Sequence, residues 1–187
     1  MESSISTLLL DTAKTLIKSA QRVFATLGTG HSEYIYHRGM EIECQHLQLV
    51  YETKKILPVI YRGCTIGYEE ADIVVHLEPE PDNVIVLEFK AVSYEPREQE
   101  IVQVKNYLKS CSDNSLGLLI NFPQPSSKSA RDHLDVLYVF KDQSSVSSSS
   151  LSTSSSTSLE ARLNGELNSN ISSDEKDDKE VSSGIVI

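Results

Sequence analysis

Val84-Ile85-Val86-Leu87-Glu88-Phe89-Lys90 is an apolar run that ends in a carboxylate and an ammonium two residues apart. Successive side chains of a strand point to opposite faces, so Val84, Val86, Glu88 and Lys90 share one face while Ile85, Leu87 and Phe89 share the other. The charges therefore continue a face that begins apolar, where a buried strand emerges. Upstream, Ala71-Asp72-Ile73-Val74-Val75 is a second strand-like run with one acid among β-branched residues. If the two strands pair, Asp72, Glu88 and Lys90 meet. Two acids and a lysine at the edge of a buried sheet suit Mg²⁺-dependent phosphodiester hydrolysis, because hard cations take carboxylate oxygens and a lysine steadies an anionic centre.

Each of these residues also has a plainer reading. An acid and a lysine alternating on a strand commonly form a solvated ion pair, and an Asp near a turn-rich region commonly caps backbone amides. Asp72, however, is flanked by Ala71 and by Ile73-Val74-Val75, not by turn residues. Glu70 falls on the face of Asp72 by alternation and reads either as a solvent-facing acid or as an auxiliary ligand.

Working outward, apolar residues from Ile5 to Leu27 recur with a helical period, and Gly28-Thr29-Gly30 stops that helix. A second helix is expected from the N-cap Ser32 to about Gln48, with Tyr36, Met40, Cys44 and Leu47 on its apolar stripe. Glu33 lies one turn before Tyr36 on that stripe. It reads equally as an inward acid that needs a metal or a partner and as an acid stabilising the helix N-terminus. Segments Leu49–Tyr51, Leu57–Tyr61 and Thr65–Val75, separated by Thr53-Lys54-Lys55 and Arg62-Gly63, predict an antiparallel meander.

Beyond the central run, Arg97 to about Cys111 returns to helical spacing, and Gln103 and Tyr107 fall at i and i+4 on it. Leu116–Phe122 is a short, almost uninterrupted apolar strand that predicts a sheet covered on both faces. Val136–Phe140 is expected at an edge. Strand, helix, strand in this order implies one parallel crossover in a mostly antiparallel sheet. The expected class is α/β, with a mixed central sheet flanked by helices.

Composition sets the surroundings. The 187 residues, 39% of them hydrophobic, suit one domain with an appendage. A domain is expected over 1–142 and a disordered, Ser-rich, acidic tail over 143–187. The formal charge is −10, and residues 143–187 hold seven acids against three bases, which leaves about −6 for the preceding part. That acidity opposes tight, sequence-independent DNA binding, which rests on Lys and Arg at phosphates. The N-terminus does not read as a signal peptide, no run is long enough to span a bilayer, and Cys44, Cys64 and Cys111 are scattered singly. An intracellular setting, cytoplasmic or nuclear, is therefore expected. The five histidines show no metal-ligand spacing.

At these residues the chain resembles the GxxExxY proteins of the PD-(D/E)xK nuclease superfamily. Gly30-His31-Ser32-Glu33-Tyr34-Ile35-Tyr36 matches the naming motif at its three specified positions, and Ala71-Asp72 with Glu88-Phe89-Lys90 looks like the superfamily's acid and E-x-K pair. Gln103 to Tyr107 resembles its Q-x-x-x-Y helix, and Gly117–Phe122 the strand that follows. The resemblance spans roughly Leu10 to Phe140 and implies a restriction-endonuclease-like αβββαβ core. It implies Mg²⁺ or Mn²⁺ held by Asp72, Glu88 and the Phe89 carbonyl, with Glu33 approaching from the helix. Lys90 would orient the attacking water or stabilise developing charge, and Gln103, Tyr107 and the motif's Tyr36 would support the site. Metal-activated hydrolysis of nucleic-acid phosphodiesters is the leading expectation, with DNA favoured over RNA although the resemblance does not supply the substrate; a catalytically weak or inactive module binding nucleic acid or a protein partner is the alternative, and a homodimer is a further expectation. The chain departs from the pattern at Ala71, where the naming proline stands, and at Glu70, where an arginine is frequent.

Overall fold

A computed structural model describes residues 7–125, 133–141 and 182–186. Two helices come first, α1 (Thr7–Leu27) and α2 (Glu33–His46), followed by three strands, β1 (Val50–Tyr61), β2 (Cys64–Leu77) and β3 (Glu80–Lys90). Helix α3 (Glu98–Lys109) then leads to β4 (Leu116–Asn121) and β5 (Asp135–Phe140), and a short β6 spans Ser182–Val186. The sheet order is β1-β2-β3-β4-β5-β6. β3 and β4, joined through α3, run parallel, as do β5 and β6, and the other neighbours are antiparallel. The α/β class and the αβββαβ core are as expected, with α1 added in front and β5 and β6 behind.

The alternation read on β3 sorts the core into two layers. Ile85, Leu87 and Phe89 pack with Leu16, Tyr36 and Met40 from α1 and α2. Val84 and Val86 pack with Val104, Tyr107 and Leu108 of α3. β4 is buried along its whole length, as an uninterrupted apolar strand between two helical layers should be. Gly117 lets α3 approach this strand closely, since a Cβ there would lie 2.3 Å from Val104 Cγ1.

Helix ends follow local chemistry. Gly28, at φ 71°, takes the left-handed conformation that ends α1, and its N–H bonds the Phe24 carbonyl at 2.7 Å. Ser32 is the N-cap of α2 as expected, in extended conformation but without a side-chain capping bond. α3 begins where the Glu100 carboxylate accepts the Arg97 N–H at 2.9 Å.

Two expectations need correction. Thr53-Lys54-Lys55 does not separate two strands: β1 is continuous through it. β1 is the outermost strand and largely exposed there, so polar side chains cost little, and the break read from them survives only as a left-handed Lys54 at φ 50°. β5 is not an edge either, because β6 runs along its outer side, pairing Asp135 with Ser182 through Val139 with Val186. The remainder of the tail expected over 143–187, residues 143–181 and 187, lies outside the described residues.

Candidate active site

The site lies where β2 and β3 part. Their ladder ends at the Ile73–Leu87 pair, and beyond it the Asp72 carboxylate takes the place of a strand partner, its Oδ2 accepting the Phe89 N–H at 2.8 Å. The Lys90 carbonyl faces the other way and accepts the Phe122 N–H at 2.7 Å on the β4 side. A strand residue turns its N–H and C=O to the same edge. The Phe89 carbonyl therefore opens onto the gap that holds Asp72.

Glu88 and Lys90, on one face of β3, form an ion pair of 2.6 Å between Oε1 and Nζ. Asp72 and Glu88 are almost wholly buried, each 4% exposed. Burial, and next the charge of Asp72, pushes the Glu88 carboxyl up to about 7, against the pull of Lys90. Burial disfavours the Lys90 ammonium, but the bond it donates to Glu88 and the charges of Glu88, Glu33 and Asp72 outweigh it and raise its pKa. The Glu33 carboxyl is raised by burial, with Lys90 opposing and Asp72 adding to the rise. Asp72 of β2 and the Glu88–Lys90 pair of β3 thus meet at the junction, and Glu33 of α2 lies within their electrostatic reach.

The other expected residues take distinct positions. Tyr107 Oη donates to the Glu70 carbonyl at 2.9 Å and accepts from Gln103 Nε2 at 2.5 Å, so the α3 pair braces β2 one residue before Ala71 and Asp72. Tyr36 is fully buried. Its ring stacks on Phe122 at 4.4 Å and its hydroxyl donates to the Gly28 carbonyl at 2.7 Å, so it reaches the site only through the frame. Gln124 ties the motif together by accepting from Gly30 N–H at 3.0 Å and donating to Tyr36 Oη at 3.4 Å.

Two residues escaped the sequence reading. His37 is buried, and its Nε2 lies 3.0 Å from the Asp72 carbonyl while its ring meets Phe89 edge-on. Its position one turn after Glu33 on α2 was the available signal. Lys54 places Nζ 2.5 Å from Asp72 Oδ1 and 3.7 Å from Glu70 Oε1. It was hidden because its segment read as a turn.

Among the described residues, no three His, Cys, Asp or Glu side chains gather closely enough to hold a metal ion. Glu33 is thus an electrostatic neighbour of Asp72 and Glu88 and does not complete a three-carboxylate cage. The donors present are two carboxylates and one main-chain carbonyl, all hard oxygens. That set fits a cation such as Mg²⁺, which binds through one or two carboxylates and keeps several waters.

The family model of the PD-(D/E)XK nuclease superfamily matches residues 10–132, about two thirds of the chain. The chain belongs to that superfamily, whose nucleases generally use divalent metal ions. No curated protein matches it. Among the described residues, no helix is long and apolar enough to cross a membrane.

Proposed function

We propose that this chain is a Mg²⁺- or Mn²⁺-dependent phosphodiester hydrolase of the GxxExxY type, acting on nucleic acid with DNA as the favoured substrate. The observation that carries the reading is the junction itself: Asp72 on the Phe89 amide, with Glu88 paired to Lys90 beside it. Asp72, Glu88 and the Phe89 carbonyl would hold the cation. When bound, it supplies Lewis-acid polarisation of a phosphoryl oxygen and makes water more acidic. Lys90, kept as an ammonium by the acids around it, would stabilise charge that develops on the phosphoryl group. Glu33 sets the field at the rim, Gln103 and Tyr107 hold β2 in register, and Tyr36 anchors the turn before α2. Incubating the purified full chain with single- and double-stranded DNA and RNA, with each metal, tests the reading. Cleavage lost in Lys90→Ala supports it, and a parent inert on every substrate overturns it.

A specific observation favours a second reading, a module that binds nucleic acid or a protein partner without cleaving. Several basic side chains that would dock phosphates are already engaged: Arg22 with Glu43 at 2.5 Å, Lys14 with Asp11 at 3.5 Å, and Lys55 with Glu52. Exposed Ile56, Ile60, Ile66 and Tyr68 on the β1–β2 hairpin offer a protein partner or a second copy an apolar surface. Calorimetry with Mn²⁺ separates the readings, since only the enzyme requires binding that Asp72→Ala abolishes. The proposal also includes a nuclease-like domain over 1–142 with the Ser-rich segment as an appendage, and a reducing cytoplasmic or nuclear setting in keeping with free Cys44, Cys64 and Cys111.

A further inference from the structure

Lys54 stands directly across from Asp72. The β1–β2 register pairs Thr53 with Ile73 and Lys55 with Ala71, so Lys54 and Asp72 are the facing residues between them. They make no ladder pair, because Lys54 is left-handed at φ 50° in the middle of a strand. A non-glycine residue held there is strained, and such strain persists where the surroundings impose it. Here it accompanies an ion pair that occupies Asp72 Oδ1, while Oδ2 is engaged by the Phe89 N–H.

The same ammonium has a second carboxylate within reach. Glu70 Oε1 lies 3.7 Å from Lys54 Nζ, and the side chains of Lys54 and Glu70 are 48% and 52% exposed, whereas that of Asp72 is 6% exposed. Lys54 can therefore leave Asp72 without opening the core, and Glu70 can receive it.

We infer that Lys54 is a tethered counter-ion that competes with a divalent cation for Asp72 and shifts onto Glu70 when that cation binds. This rests on the metal-dependent reading of the site. It gives the exposed Glu70 a task, and it keeps Asp72 neutralised in the metal-free chain by a group that never leaves the protein.

Mn²⁺ affinity, measured by calorimetry on the full chain, tests the inference without reference to cleavage. Lys54→Met should bind Mn²⁺ about tenfold more tightly than the parent, as expected when a unit charge a few ångströms from a ligand is removed at a half-exposed site. Glu70→Gln should bind several-fold more weakly, because Lys54 then has only Asp72. In the Lys54→Met background, Glu70→Gln should change nothing. Equal Mn²⁺ affinity in the parent and Lys54→Met would overturn the inference and leave the metal site standing. An equal loss from Glu70→Gln in both backgrounds would likewise overturn the shift to Glu70. No Mn²⁺ binding by either the parent or Lys54→Met would remove the metal reading and this inference with it. Circular dichroism verifies folding, and Lys54→Asn, which suits a left-handed backbone, replaces the Met variant if that one fails to fold.

Discussion

Asp72 Oδ2 accepts the backbone N–H of Phe89 at 2.8 Å, so a side chain of β2 completes a ladder that the main chain has abandoned. This one contact couples fold to chemistry. It fixes the carboxylate beside the Phe89 carbonyl and leaves the buried amide dependent on it.

Replacing Asp72 should separate the two roles. Asp72→Ala leaves a buried amide unsatisfied and should destabilise the chain by about 1–3 kcal/mol, besides abolishing Mn²⁺ binding. Asp72→Asn retains an oxygen for the Phe89 N–H and should lose less stability while binding Mn²⁺ equally poorly. Thermal melts beside calorimetry check this, and equal destabilisation by both variants would assign the amide another partner.

Glu88 should make the metal-free protein less stable as pH rises. Its carboxyl, near 4.5 ordinarily, is pushed up to about 7 in the fold, chiefly by burial. Folding therefore takes up a proton between those values. The contribution is complete below about pH 4.5 and is lost as pH rises through 7, with a size on the order of 3 kcal/mol. Urea denaturation of the parent and Glu88→Gln from pH 4.5 to 8.5 measures it. The Gln variant should show a flatter profile and the advantage at high pH.

Lys90→Ala should lower cleavage by about 10²–10³, the scale of losing one preorganised electrostatic donor. It should also raise the Glu88 pKa further, because the ion pair of 2.6 Å is gone. Carboxyl titration followed by NMR checks the second effect even where no substrate is known, and an unshifted Glu88 would show that the pair does not form in solution.

Gly117→Ala should cost about 1–3 kcal/mol by overpacking. The new Cβ would meet Val104 Cγ1 at 2.3 Å and Val139 Cβ at 3.2 Å. Adding Val104→Ala should restore part of the loss, a coupling that a double-mutant cycle measures.

Much of the arrangement was legible in residue order. Strand alternation assigned Glu88 and Lys90 to one face of β3, and helical period assigned Tyr36, Met40 and Cys44 to the buried stripe of α2, where all three lie. The apolar continuity of Leu116–Asn121 announced a strand covered on both sides. Local periodicity carries such information because burial repeats with the backbone's own geometry.

What the sequence by itself determined, then, is which residues share a face and which elements alternate. Only the tertiary structure decided that Lys54, read as part of a turn, faces Asp72 across a continuous strand, that His37 meets the Asp72 carbonyl, and that β6 covers β5. The reason is physical: facing partners are fixed by the register between strands and by where a ladder ends. Those depend on contacts between segments far apart in the chain, and the spacing within any one segment does not encode them.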